Sequence, residues 1–167
     1  MKEVNYFHDY GKIITTLRQS GAFLTVKDMA DKINVMTIGW VMLGVMWRMP
    51  MLMVAVRSSR YTFQLLENAD DFTVTFPFSG MSKELNFCGT NSGRGVDKIK
   101  TCNLLLSAAQ KTKTPIIDIS SARHYECRIV QATAMDKERL SSQYRHDLYQ
   151  DDAYHTYYFG EILACYE

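Results

Sequence analysis

Met51-Leu52-Met53-Val54-Ala55-Val56-Arg57-Ser58-Ser59-Arg60-Tyr61-Thr62 passes from an unbroken apolar run into a cluster of hydroxyl and guanidinium groups, then into helical spacing. A short apolar run ended by a turn reads as a buried strand. The turn itself carries chemistry. Arg57 and Arg60, the hydroxyls of Ser58, Ser59 and Thr62, and the free N–H groups of a helix start can all converge on a phosphate. Read alone, the same residues also fit a capped helix start or a solvated turn.

Working outward, Asn34 to Met46 suits a pleated, largely buried strand, joined to Met51–Val56 at Trp47-Arg48-Met49-Pro50. These two strands form the expected centre of a sheet. The apolar stretch from Val35 to Val56 fails as a membrane span, because Arg48 and Pro50 interrupt it and Gly39 and Gly44 weaken it as a helix. Farther upstream, Ile13, Ile14 and Leu17 give Tyr10 to Gln19 a helical spacing that Ser20-Gly21 stops, and Ala22 to Val26 reads as a short strand.

Downstream, Ser59 is the expected N-cap of a helix carrying Tyr61, Leu65 and Leu66, broken at Asn68-Ala69-Asp70-Asp71. Phe72-Thr73-Val74-Thr75-Phe76 alternates cleanly to Pro77, a strand with one face expected in water. Short helices over Ser82–Cys88 and Asp97–Cys102 flank Gly89-Thr90-Asn91-Ser92-Gly93-Arg94-Gly95, a second small, permissive and basic loop that can share one phosphate with the first. Ile116–Ile119 and Ser121–Thr133 read as strands, Asp136–Leu140 as a capped helical turn, and His155–Tyr166 as a closing strand. Many strands with few, short helices favour an antiparallel barrel over a parallel doubly wound sheet. No G-x-G-x-x-G and no P-loop is present.

The 167 residues suit one domain, 1–167, with a core that needs neither disulfide nor metal to hold it. Nineteen basic against eighteen acidic residues leave a net charge of +1, which excludes a partner bound mainly through nucleic-acid phosphates or an anionic membrane. Cys88, Cys102, Cys127 and Cys165 lack paired short spacing, so no metal site is expected and the thiols read as buried and reduced. The start, Met1-Lys2-Glu3-Val4-Asn5-Tyr6, lacks the order of a signal peptide, which makes the cytoplasm the default location.

Taken in order, four pieces resemble the flavin reductase-like family, the FMN-binding split barrels that include the flavoredoxins. They are Asn34-Val35-Met36-Thr37-Ile38-Gly39-Trp40, Val56-Arg57-Ser58-Ser59-Arg60-Tyr61-Thr62, Cys88-Gly89-Thr90-Asn91-Ser92-Gly93-Arg94 with Asp97-Lys98, and His155 with Gly160-Glu161-Ile162. The resemblance implies a mainly β fold with short helices: a six-stranded antiparallel Greek-key split barrel, assembled as a homodimer with FMN at the interface. Asn34, Met36, Thr37, Ile38, Gly39 and Trp40 would line the isoalloxazine, with backbone donors answering negative charge on the ring. Arg57, Ser59, Arg60 and Thr62 would clamp the phosphate, and Ser92, Gly93, Arg94 and Lys98 would complete the ribityl-phosphate pocket. Which arginine meets the phosphate and which pairs with a carboxylate stays open.

His155 resembles a late histidine placed near the flavin face and the incoming nicotinamide, though a lone His among tyrosines also fits plain packing. The tail with Tyr144, Tyr149, Tyr154, Tyr157 and Tyr158 reads chiefly as packing. The implied activity is reduction of FMN by NADH or NADPH. The alternative is a flavoredoxin-like carrier reduced by a redox protein partner, and a barrel for another ligand is the third reading.

Overall fold

The computed structural model describes residues 2–167; Met1, the first residue of the expected domain, lies outside the described residues. Strands β1 (Ala22–Lys27), β2 (Ile33–Ile38), β3 (Val41–Met46), β4 (Met49–Arg57), β5 (Asp71–Pro77), β8 (Ala122–Ala134) and β9 (His155–Tyr166) form one sheet in the order β2-β1-β5-β8-β9-β4-β3. Every pairing in it is antiparallel. A small separate ladder joins β6 (Leu106–Ser107) to β7 (Ile116–Ile117).

The expected six-stranded barrel is therefore corrected to seven strands in a sheet with two edges. The single strand expected over Asn34–Met46 breaks at Gly39-Trp40: its first half pairs with β1, its second with β4. One bent stretch of chain thus supplies both edges of the sheet. No ladder joins β2 to β3, but Trp40 O accepts a hydrogen bond from Ala55 N at 3.2 Å, which pins the bend onto β4. The β3–β4 hairpin turns at Trp47-Arg48, both in the left-handed region, φ 54 and 64, as a two-residue hairpin of matching twist demands. Pro50 lies just beyond the pairing of β4 with β9, where its missing N–H leaves no ladder bond unmade.

Period-2 alternation turns one face of the strands into the core. Leu24 and Val26, Val54 and Val56, Phe72 and Val74, Tyr125, Tyr158 and Ile162 make the main core. Helix α1 (Tyr10–Gln19) adds Ile13 to it, and α2 (Tyr61–Leu66) adds Leu65 and Leu66. A second apolar layer joins Phe23 and Val35 to Leu85 and Cys88 of α3 (Ser82–Thr90) and to Leu104 and Ile117. That layer fixes α3, and hence the loop leaving it, against β2.

The expected wet face of β5 is buried instead. Thr73 donates to Pro115 O at 2.7 Å and Thr75 meets His124 Nδ1 at 3.1 Å, so the segment around β7 covers the polar side of the strand. Asp136–Leu140 forms the expected capped turn, with Glu138 N donating to Asp136 Oδ1 at 2.9 Å, while α5 (Ser142–Leu148) arises where no element was expected. Four-residue α4 (Lys98–Thr101) is capped by Asp97, whose side chain accepts from Lys100 N. All four cysteines are free, and three are buried.

Candidate functional site

Strand β4 stays buried through Val56, so Arg57 is the first residue to leave the core. The chain then turns through Ser58 and Ser59, and Arg60 N bonds back to Arg57 O at 3.0 Å. Arg60, not Ser59, occupies the N-cap position of α2, and no side chain caps the helix. The Ser59 hydroxyl, expected to cap, is thereby free of that duty.

The second loop reaches the first because Gly93 has no side chain. A Cβ on Gly93 would run into Asn34 Oδ1 and lie 2.8 Å from Tyr61 Cδ1, so any larger residue displaces the loop or those two side chains. Arg94 then crosses the gap, donating from Nη1 to Ser59 O at 3.2 Å. Beneath it, Asn34 Nδ2 donates to Thr62 Oγ1 at 2.7 Å, tying β2 to α2.

These contacts enclose a hollow of about 110 Å³ lined by Ser59, Arg60, Thr62, Ser92, Gly93, Arg94 and Lys98, with Met36 at one side. One water takes up about 30 Å³, so this space suits a tetrahedral anion and not an aromatic ring. Its charge is fixed by Lys98, which is 4% exposed. The ammonium donates to Cys88 O at 3.0 Å, and burial, with Arg60 adding to it, lowers its pKa. Among the described residues, the ion pairs include none of Lys98, Arg60 or Arg94. A buried cation with only a carbonyl for company is stabilised by an incoming anion.

Met36 and Arg60 also line a second, more open hollow of about 400 Å³, bounded by Thr37, Ile38, Gly39, Trp40, Arg57 and His155. This volume lies within the range of small-molecule pockets. Gly39 has no atom within 4 Å of where a Cβ would stand, so main chain faces open space there. Thr37 turns its hydroxyl away, donating to Leu85 O at 2.6 Å, which leaves its backbone to serve the hollow.

At the far wall, His155 is buried, with its ring stacked on Trp40 at 4.2 Å between centroids and 21° between planes. Its Nδ1 lies 2.7 Å from the Tyr149 hydroxyl. Burial, and after it the charges of Arg57 and Arg60, push the imidazole pKa down to about 4, so the ring is neutral near pH 7.

The structure answers which arginine pairs with a carboxylate. Arg57 Nη1 lies 3.1 and 3.3 Å from the two Asp151 oxygens, and Nη2 donates to Leu148 O at 2.6 Å. Arg57 therefore borders the ring-sized hollow and holds the α5–β9 connection across it; it does not line the anion hollow. Asn34 also departs from expectation. Its side chain is engaged by Thr62, and it borders a third cleft, beyond Gly93 and Arg94, rather than the ring-sized hollow. Every other expected residue lines the anion hollow or the ring-sized hollow.

Sequence reasoning missed Tyr149 and Asp151 as site residues. Their signal was the aromatic tail ending at Tyr154-His155, but nothing in it says which ring meets the histidine. It also missed Tyr61, which lies under Arg94 Cζ at 5.5 Å and Lys32 Nζ at 5.0 Å.

The anion hollow and the ring-sized hollow share Met36 and Arg60 in their walls, side by side on an antiparallel sheet. The flavin reductase like domain matches residues 13–167, and the chain belongs to that family. The flavoredoxin of Methanosarcina acetivorans is 30% identical, with TM-score 0.66 over 87% of this chain and 67% of that one. An uncharacterized protein of Archaeoglobus fulgidus is 31% identical over 133 residues, 80% of this chain; the match spans 64% of that relative's length. The NADH:FAD oxidoreductase of Streptomyces globisporus, at 18% identity, shares the fold, with TM-score 0.67 over 99% of this chain and 87% of that one.

Proposed function

We propose that this chain is an FMN-binding flavin reductase that takes electrons from NADH or NADPH. The carrying observation is Lys98: a buried ammonium, in no ion pair with a carboxylate among the described residues, beside a hollow of phosphate size that shares Met36 and Arg60 with one of ring size. When bound, FMN supplies the two-electron redox chemistry. The protein's part is binding and alignment. Lys98, Arg60 and Arg94 hold the phosphate, and Ser59 and Ser92 add hydroxyl donors. The main chain of Met36 to Trp40 borders the ring, with His155 presented as a neutral group at its far side.

The working unit of this reading is a homodimer in the cytoplasm. Met42, Val45, Trp47 and Met49 stand exposed on the β3–β4 hairpin beside Trp40, an apolar surface that a second copy would cover. Four free cysteines suit a reducing compartment. The test is spectroscopic: purified protein carries flavin absorption, and anaerobic NADH or NADPH bleaches it within a catalytic timescale. Flavin-loaded protein that neither donor bleaches contradicts the reductase.

A second reading, a flavoredoxin-like carrier reduced by a protein partner, is favoured by the stack of Trp40 on His155. A nicotinamide approaching His155 would have to displace the indole. Retained FMN, no oxidation of either nucleotide and fast reduction by a ferredoxin-type donor would select it.

A further inference from the structure

The second anion loop begins and ends on a cysteine. Cys88 lies inside α3 and borders the anion hollow, while Cys102 closes α4, so Gly89 to Thr101, with every residue of that loop that meets the hollow, lies between them. Lys98 joins the two ends. Its Nζ donates to Cys88 O at 3.0 Å, and its own carbonyl accepts from Cys102 N at 3.0 Å. Both cysteines pack in the apolar layer made by Phe23, Val35, Leu85, Leu104 and Ile117. There the thiols are neighbours: burial, and after it the Cys102 thiol, pushes the Cys88 pKa up to about 12.

The two thiols differ in access. Cys88 is buried, whereas Cys102 is only half-buried. An accessible thiol beside a buried one suits a division of labour in which the first meets an oxidant and the second resolves the product. Cys127 and Cys165 have no exposed surface and sit on β8 and β9, so they stay out of such chemistry. The loop between Cys88 and Cys102 is otherwise fastened to the first loop by non-covalent contacts, Arg94 to Ser59 O and the close fit of Gly93 against Tyr61. Its freedom to open is therefore what a covalent tie across its ends would restrict.

We propose that Cys88 and Cys102 form a reversible disulfide under hydrogen peroxide, closing the second loop into a covalent ring that slows release of the phosphate ligand held in it. The effect on the ligand rests on the flavin reading above; the disulfide itself does not. Peroxide is what a reduced flavin yields with dioxygen. The Cys102 sulfur takes one peroxide oxygen as the O–O bond breaks, giving a sulfenic acid and one water. The Cys88 sulfur then attacks that sulfur; the S–S bond forms, and the sulfenic hydroxyl leaves with the Cys88 proton as a second water. Together the thiols lose two electrons and two protons, and the peroxide is reduced to water. A dithiol such as dithiothreitol reverses the bond by exchange.

The test incubates folded wild-type and Cys102→Ser protein with FMN, treats each with a small excess of hydrogen peroxide, maps the cross-links by mass spectrometry and follows FMN release on dilution by its fluorescence. The wild type should gain a Cys88–Cys102 link and release FMN about 10-fold more slowly than after dithiothreitol, because a loop joined at its ends opens less readily. Cys102→Ser should show no link and the same release rate with and without peroxide. FMN bound with no Cys88–Cys102 link, or with the link and an unchanged release rate, overturns this inference and leaves the flavin reading standing. A link formed in protein that binds no FMN overturns the flavin reading and upholds the disulfide. A slowing that persists in Cys102→Ser would place the effect of peroxide elsewhere and overturn the inference.

Discussion

The Tyr149 hydroxyl lies 2.7 Å from Nδ1 of His155, and the face of the same imidazole is stacked on Trp40. A buried phenol, whose own pKa is raised by burial, keeps its proton and can donate to Nδ1 or accept from it, so the bond ties the orientation of the phenol to the tautomer of the ring. Tyr149 is thus a positioning residue: it holds the ring of a histidine that the charges of Arg57 and Arg60 help to keep neutral, against the opposing pull of Asp151.

That arrangement predicts a pH dependence of definite sign. The folded pKa is about 4, against about 6.5 for an unfolded histidine, so between those values the unfolded chain binds more protons. The stability His155 contributes is complete above about pH 6.5 and is lost as pH falls toward 4. The urea midpoint should decline over this window, and His155→Gln should flatten the decline. Tyr149→Phe removes a hydrogen bond made to the neutral ring and should shift the histidine pKa, read by NMR titration.

The two sides of the Arg57–Arg60 turn should respond differently to substitution. Lys98→Met replaces a buried ammonium with an apolar chain of similar length, and FMN affinity should fall by roughly 10- to 100-fold, the loss of one charge-assisted hydrogen bond. Arg57→Ala should cost FMN less, because that guanidinium is engaged by Asp151 and Leu148 O. Its effect should appear as loosening of the α5–β9 connection, measured by hydrogen exchange at Leu148 to Tyr154. Equal losses of FMN in both variants would contradict the division.

Gly93→Ala tests the approach of the two loops. The added methyl meets the Asn34 and Tyr61 side chains at distances no real contact tolerates, so either the loop moves or Asn34 gives up its bond to Thr62 and reshapes the hollow. Flavin affinity should drop by about 10-fold or more while the circular dichroism of the sheet stays as it was. An unchanged affinity would mean that the second loop does not touch the ligand.

The exposed hairpin predicts the assembly state. Val45, on β3, and Trp47, in the hairpin turn, are 68% and 60% exposed. Val45→Lys together with Trp47→Glu should convert a dimer to a monomer by light scattering, because two charges cannot be buried there unpaired. A wild type that is already monomeric at high concentration contradicts the dimer.

Much of this was legible in the sequence. The order of strands, the turn after Val56 and the loop through Gly93 were readable because apolar runs and small basic clusters are local signals. The break at Gly39-Trp40 was not, since a continuous apolar run does not reveal where a strand exchanges one partner for another. The alternation of Phe72 to Phe76 suggested a wet face, yet threonine hydroxyls are equally satisfied by Pro115 O and His124. Asp151 lies 94 residues from Arg57, and no local pattern ranks a partner at that distance. The same holds for Tyr149, one tyrosine among several until the fold brought it to His155.

Riboflavin, which lacks the phosphate, tests the anion hollow formed by Lys98, Arg60 and Arg94 most directly. Calorimetric titration of flavin-free protein should find FMN bound at least about 100-fold more tightly than riboflavin, as two or more charge-assisted hydrogen bonds require. Equal affinity for the two flavins, or none for either, would contradict the assignment of this hollow to a flavin phosphate.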